Sequence, residues 1–308
     1  MSEYVGAPSV ATIVATRDRP ELLRETLAAI DAQDYEGAIT TIVVFDQTEP
    51  DLSLAVSEGN RQVIVVPNGR VQGLQGARNT GLLGTSSDLV AFCDDDDVWA
   101  PSKIRRQVDV LNSHPDVHFV GSGVLVEYEG ESVERVRDES RVTFRDLLRS
   151  RVFEAHPSTF LMRRNELIDQ IGLIDEDVPG GYGEDYEWLL RATRLTDMIL
   201  VPAPLVTVRW HTASFYAERW QMRIDGLQYI LDRYPEFETE PVGLARILGQ
   251  MAFAKASLGD RKGAVELAKK TLKLNPKEGR APLALGVAAG VPSAFVVSQL
   301  QKLSLIHI

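Results

Sequence analysis

Short apolar runs alternate with amphipathic stretches through the first third of the chain. Residues 10–15, Val-Ala-Thr-Ile-Val-Ala, read as a buried strand. Pro20 then opens a segment whose Leu22, Leu23, Leu27 and Ile30 recur at helical spacing. Residues 41–45 predict a second strand ending at Asp46, and residues 63–66 a third, stopped by Pro67-Asn68-Gly69. Residues 73–84 read as a glycine-rich turn with a short helix, and residues 89–93 as a fourth strand. Strands alternating with helices predict βαβ units, hence an α/β domain with a mainly parallel sheet. In such sheets ligands bind beyond the carboxyl ends of the strands. Three polar segments fall at those ends: Thr16-Arg17-Asp18, Asp46-Gln47 and the four aspartates 94–97.

After Pro101 the pattern predicts a helix to about residue 113, a strand over 117–128, a charged hairpin or loop over 129–141 and a strand over 159–162. Residues 175–183 read as a loop freed by Pro179, Gly180, Gly181 and Gly183, with a helix beginning near Glu184. Residues 199–201 and 205–208 read as two short strands, the second leading into Trp210-His211. From about Trp220 the pattern is wholly helical. Gly259-Asp260, Ala264, Leu272 and Asn275-Pro276 resemble one tetratricopeptide-type helix pair near 249–276. A single repeat forms no solenoid, so the pair is expected to serve as a helical cap or to meet a partner protein. Residues 281–300 lack charge but contain Gly286, Gly290 and Pro292, which predicts a broken helical pair packed on protein, with a membrane-contacting surface as the alternative. Residues 303–308, Leu-Ser-Leu-Ile-His-Ile, match one reading frame of a sequencing-library transposon end; they are expected to be non-native, and His307 receives no role. The expected organisation is a domain over 1–219, a helical extension over 220–302 and that tail.

Composition narrows the function. A chain of 308 residues that is 44% hydrophobic and 25% charged fits a soluble globular protein with a sizeable core. The net charge of -11 argues against a nucleic-acid backbone as main partner, but leaves room for a nucleotide held by a metal and local cations. One cysteine, Cys93, cannot form an internal disulfide, and residues 1–4 show no secretory pattern, so a cytoplasmic setting is expected.

The strongest chemical signal is the aspartate run. Four carboxylates directly after a buried apolar run repel one another unless a cation compensates. Oxygen ligands at a strand tip suit Mg²⁺ or Mn²⁺, ions that also hold diphosphates. A solvated turn or helix cap is the plainer alternative, although one or two aspartates suffice for capping.

Six segments in order carry a resemblance: Ala15-Thr16-Arg17-Asp18-Arg19-Pro20; Val44-Phe45-Asp46-Gln47; Gly76-Ala77-Arg78-Asn79-Thr80-Gly81; Phe92 through Pro101 around the aspartates; Gly183-Glu184-Asp185-Tyr186-Glu187; and Arg209-Trp210-His211. Over roughly residues 9–215 the chain resembles a family 2 glycosyltransferase of GT-A fold. The resemblance implies a mixed, mainly parallel sheet flanked by helices, with the C-terminal helices as an extension. It also implies transfer of a sugar from a nucleotide-diphosphate donor (UDP, dTDP or GDP) to a glycan or lipid-linked acceptor, with peripheral association at the inner membrane face. Residues 94–96 fill the Asp-x-Asp positions. Asp96 is the implied metal ligand, and His211 is the implied histidine against the metal or diphosphate (a surface histidine after a strand is its plainer reading). Asp94 lies nearer the ribose or a metal-bound water, Asp95 falls in the same donor-binding run, and Asp97 orients the others. Thr16, Arg17, Asp46 and Gln47 are the implied nucleotide wall. Gln47 departs from the acidic residue many relatives carry, which loosens any choice of UDP. Arg78 is a cation for the phosphates or a structural ion-pair partner. Asp185, in the Glu184-Asp185 pair at a helix start, is the implied general base, which with direct attack gives inversion. The same two residues would also cap that helix. His156 falls where relatives approach the acceptor and could hydrogen-bond a sugar hydroxyl; a loop histidine is the plainer reading.

Two other classes share part of this pattern. A sugar-1-phosphate nucleotidyltransferase needs strand-end aspartates and a metal but no Glu-Asp base motif. A non-catalytic nucleotide-sugar-binding or scaffold protein would have no need of both Asp96 and Asp185.

Overall fold

The computed structural model describes residues 6–128, 130–138, 140–210 and 219–306. Its contacts divide the chain into two compact units. The first comprises residues up to 144, residues 152–176 and residues 188–210; the second comprises residues 145–151, 177–187 and those from 211 onward.

The first unit holds one sheet of ten strands. Its βαβ half consists of β1 (Val10–Thr16), α1 (Pro20–Asp31), β2 (Ile39–Phe45), β3 (Arg61–Pro67), α2 (Leu74–Leu83) and β4 (Leu89–Asp94). The strands β3, β2, β1 and β4 lie side by side and all parallel. The first strand of the chain is thus central, and the order reverses beside it, the place where open α/β sheets leave a ligand crevice. Pro20 at the first turn of α1 lacks the N–H that a helix start would leave unpaired. Helix α2 packs closely because two of its positions are glycine. A Cβ on Gly76 would meet the Val71 carbonyl oxygen at 1.9 Å, and one on Gly81 would meet Ile13 Cγ2 of β1 at 2.5 Å.

Next come β5 (Val98–Trp99), α3 (Lys103–Ser113), β6 (Phe119–Tyr128), β7 (Glu131–Arg135), β8 (Arg141–Val142), α4 (Phe144–Arg149), β9 (Leu161–Arg163), a one-turn α5 (Arg164–Glu166), α6 (Glu184–Thr193) and β10 (Met198–Arg209). Strand β9 runs antiparallel between β4 and β6, and β6 pairs in parallel with β10. The charged stretch after β6 forms the expected hairpin, with β7 returning along β6. The two short strands expected over 199–208 are one strand. β10 continues through Pro202 and Pro204 by shifting register on either side of Pro204, since a proline offers the ladder no N–H but fits a bulge. The core gathers Val10, Val14, Ile30, Val43, Leu89 and Val120 on one cluster, and Trp188 stacks on Phe160 with Phe119 at its edge.

The second unit is helical from Trp220 on: α7 (Trp220–Arg233), α8 (Pro241–Ser257), α9 (Arg261–Leu274), α10 (Arg280–Ala288) and α11 (Ser293–Ile306). Helices α8, α9 and α10 pack through Ala252, Ala256, Ala264, Ala268, Ala281 and Ala284, small side chains that let the backbones approach. Asp260 caps α9 by accepting from the Gly263 amide at 2.9 Å. The charge-free stretch 281–300 is the expected broken pair, interrupted between Ala288 and Ser293. No helix of the described residues is long and apolar enough to cross a membrane.

Candidate active site

At the carboxyl ends of β1, β2 and β4 the backbone turns sharply. Asp18 after β1 and Gln47 after β2 take positive φ, 55° and 60°. Non-glycine residues pay for that conformation, and such strain concentrates where a loop must hold one shape. Asp46 is buried and accepts from three donors: Asn68 Nδ2 at 2.8 Å, Gln47 Nε2 at 2.8 Å and the Gly73 amide at 3.1 Å. Asp46 and Gln47 are therefore brought together by a direct bond at the tip of β2. Thr16 donates its hydroxyl to Asp95 Oδ2 at 2.7 Å, which ties the β1 and β4 tips together. Arg17 is half-exposed and lies 3.8 Å from Asp18.

The four aspartates have different partners. Asp94 Oδ1 accepts from Arg78 Nη2 at 2.7 Å, and Arg78 itself is only 2% exposed, its guanidinium 5.5 Å from the Phe92 ring centre. The structure thus shows Arg78 in an ion pair with the first aspartate. Arg19 Nη1 bridges Asp95 Oδ1 at 3.1 Å and Asp96 Oδ2 at 2.7 Å. Burial pushes the Asp95 carboxyl above the ordinary range, against the opposite pull of the Thr16 hydroxyl and of Arg19.

Asp97 is the odd one. Its side chain is 2% exposed, and its Oδ2 is a buried atom without a hydrogen-bond partner among the described residues. Burial, and then the Asp94 charge, push its carboxyl well above the ordinary range. His156 faces it, with Nδ1 at 3.5 Å from Asp97 Oδ2 and Nε2 at 3.9 Å from Asp94 Oδ2. Asp94, Asp97 and His156 each offer a ligand atom, all within 4.8 Å of one another. A buried carboxylate oxygen with no donor, set beside a second carboxylate and an imidazole, is what a divalent cation would satisfy. The residues fit the ion that the aspartate run predicts.

This grouping differs from the expected one. Asp96, the expected ligand, is engaged by Arg19 and lies outside the group, while Asp97 and His156 fall inside it. The reason is geometric. Successive residues of the tight turn after β4 point in different directions, so Asp94 and Asp97 converge while Asp96 turns to the cation at the start of α1. His211, the other expected ligand, lies outside the described residues. His156 was legible as a candidate, but its meeting with Asp97 was not, because 59 positions separate them. Arg19, in the Thr16-Arg17-Asp18-Arg19-Pro20 segment, carries no sequence signal for its pairing with Asp95 and Asp96.

In the second unit, Asp185 and the buried Glu184 open α6 as expected. Asp185 Oδ1 accepts from the Tyr186 amide at 2.7 Å, and its other oxygen is ion-paired with Arg151. The Asp185 charge holds the Arg151 guanidinium above its ordinary value, against the opposite effect of burial. Tyr186 is fixed in turn, donating to the Leu147 carbonyl at 2.5 Å and accepting from Arg246 Nη2 at 2.7 Å. No sequence signal singled out Arg151, since its pairing with Asp185 is a long-range contact.

The family model described as Glycosyl transferase family 2 matches residues 11–171, just over half the chain. The chain belongs to that family. The glycosyltransferase is 27% identical over 225 residues to an uncharacterized glycosyltransferase of Haemophilus influenzae, covering 68% of each chain. It is 28% identical over 211 residues to the uncharacterized glycosyltransferase YwdF of Bacillus subtilis, covering 67% of this chain and 75% of the relative. Among solved structures, S. aureus TarS residues 1–349 in complex with UDP-GlcNAc superposes with a TM-score of 0.61 at 18% identity, over 86% of this chain and 81% of that one. The mannosyltransferase PcManGT from Pyrobaculum calidifontis, in complex with GDP-Man and Mn²⁺, gives 0.57 at 20% identity, over 98% and 81%. These neighbours establish the GT-A fold.

Proposed function

We propose that this glycosyltransferase moves a sugar from a nucleotide-diphosphate donor to a hydroxyl of a glycan or lipid-linked acceptor, with a divalent cation and with inversion. The observation that carries the metal dependence is the convergence of Asp94, Asp97 and His156 at the tip of β4, with a buried Asp97 oxygen that has no hydrogen-bond partner among the described residues. That TarS and PcManGT were solved with UDP-GlcNAc and with GDP-Man and Mn²⁺ supports a donor and an ion of this class. When bound, Mg²⁺ or Mn²⁺ neutralises charge that grows on the departing diphosphate.

The protein's own groups do the rest. Asp94, Asp97 and His156 would hold the cation, with Arg78 on the far oxygen of Asp94 and the Ser158 amide donating to His156 Nδ1 at 3.4 Å. A role for Asp96 as ligand requires Arg19 to release it. Thr16, Arg17, Asp46 and Gln47 form the nucleotide wall, stiffened by the Asp46 bonds and the Thr16–Asp95 bond. Asp95 keeps the β4 tip against that wall. Asp185, oriented by Arg151 and the Tyr186 amide, takes the proton of the acceptor hydroxyl; one base and direct attack give inversion.

Calorimetric titration of Mn²⁺ with UDP and with GDP tests the metal assignment. Asp97→Asn and His156→Ala should weaken metal-dependent nucleotide binding by an order of magnitude or more, roughly what losing a ligand costs. Binding that survives both substitutions but is lost in Asp96→Ala would transfer the ion to Asp96 and require Arg19 to move aside.

A further inference from the structure

Two polar side chains in the core of the first unit have no part in the chemistry above. Lys103 and Gln107 sit one turn apart on α3, both with 0% exposure. Lys103 Nζ donates to Gln107 Oε1 at 2.8 Å and stands 3.8 Å from the centre of the Trp99 ring. Among the described residues it has no carboxylate partner. Burying a lysine this way is costly, and burial pulls its pKa from 10.5 down to about 7.

The pairing has a directional consequence. With Oε1 taken by Lys103, the Gln107 amide turns its NH₂ group outward, and Nε2 donates to the Thr159 carbonyl at 2.6 Å. A flipped amide would set donor against donor at Lys103 and acceptor against acceptor at Thr159. Two more bonds hold the same turn: Trp99 Nε1 donates to the Ser158 carbonyl at 3.0 Å, and the Asp94 amide donates to Ser158 Oγ at 3.0 Å. The turn closes on itself through Thr159 Oγ1, which donates to the His156 carbonyl at 2.7 Å. His156 therefore stands on a turn fastened at both of its last residues to the elements that follow the aspartates.

We propose that the Lys103–Gln107 pair is a positioning device for His156: Lys103 fixes the sense of the Gln107 amide, Gln107 holds the 156–159 turn, and the imidazole is thereby kept opposite Asp94 and Asp97. Neither residue belongs to the group that would hold the ion. The inference rests on the reading of His156 as a metal ligand.

The test is Mn²⁺ alone, titrated into the full chain and followed by loss of the free-ion EPR signal, in a double-mutant cycle. Gln107→Leu should weaken Mn²⁺ binding about tenfold, the lower end of what disturbing the outer support of a metal ligand costs. In a His156→Ala background the same substitution should cost less than about twofold, because the route of its effect is gone. Gln107→Glu, which keeps the size and the Lys103 contact but presents an acceptor to the Thr159 carbonyl, carries the same expectation and serves if Gln107→Leu does not fold. Equal weakening in both backgrounds, or none in a variant that still unfolds cooperatively, overturns the positioning role. If His156→Ala alone leaves Mn²⁺ affinity unchanged, the ligand assignment itself has failed, and the proposal with it.

Discussion

Asp97 concentrates the chemistry of the site in one side chain. A buried carboxylate with an oxygen lacking a donor is a liability until a cation arrives, and removing a charge of that kind tends to stabilise a fold. Asp97→Asn should therefore melt at a temperature equal to or above the parent without metal, yet lose the upward shift that Mn²⁺ gives the parent. Differential scanning calorimetry with and without Mn²⁺ reads both effects; a metal shift preserved in the variant would remove Asp97 from the ion's shell. Lys103 makes a pH prediction. Its folded pKa of about 7 lies below its ordinary 10.5, so between those values the unfolded chain binds the extra proton. Stability then rises with pH across that window, is flat above it, and carries the full penalty below about 7. Urea unfolding from pH 6 to 10 should show that slope in the parent and a flatter one in Lys103→Met, which should also be more stable at pH 7. Parallel curves would show that Lys103 is not buried as a cation. At this scale the sequence marks candidates by residue type and place, and it does not show which of them meet. The aspartate run, Thr16, Asp46 and Asp185 stood out by type and place, whereas the partners Arg19, His156 and Arg151 are set by contacts across 76, 59 and 34 positions.

Among the elements, β4 and α2 were legible because apolar runs and glycine spacing report local geometry directly. Gly76 is the sharper case. A methyl there would drive into the Val71 backbone carbonyl, which cannot yield as a flexible side-chain tip would. Gly76→Ala should cost about 1–3 kcal/mol in denaturant unfolding, and it should also weaken nucleotide binding, because the loop ending at Gly73 donates to Asp46. A fully neutral substitution would mean that the loop and helix separate freely. β10 was less legible. Its two prolines read as a break between short strands, and only the parallel partner β6 keeps the chain extended through the register shifts. Helix α4 carried too few residues for a periodic signal, and its place follows from tertiary packing.

For the molecule as a whole, the residues proposed for the donor and the cation fall in the first unit and the proposed base in the second. That division separates two measurable steps. Asp185→Asn should leave nucleotide affinity unchanged while cutting transfer by about 10²–10⁴-fold, the usual contribution of a general base. A loss of donor binding in that variant would place Asp185 in donor recognition instead. The α/β class and the C-terminal run of helices were readable from periodicity alone, since hydrophobic spacing reports what each element buries. The division into units was not: the sequence suggested one cut near residue 219, whereas segments 145–151 and 177–187 join the later helices by contacts that no local pattern encodes.

The most direct test of metal-dependent nucleotide binding at this site is thermal unfolding of the full chain with Mn²⁺ across UDP, dTDP, GDP, CDP and ADP, each repeated with the ion chelated. A ligand that binds only the folded state raises its melting temperature. An upward shift is expected with at least one diphosphate, vanishing on chelation and in Asp97→Asn. A folded protein that shifts with none of them, or shifts equally without the ion, would contradict metal-dependent nucleotide binding.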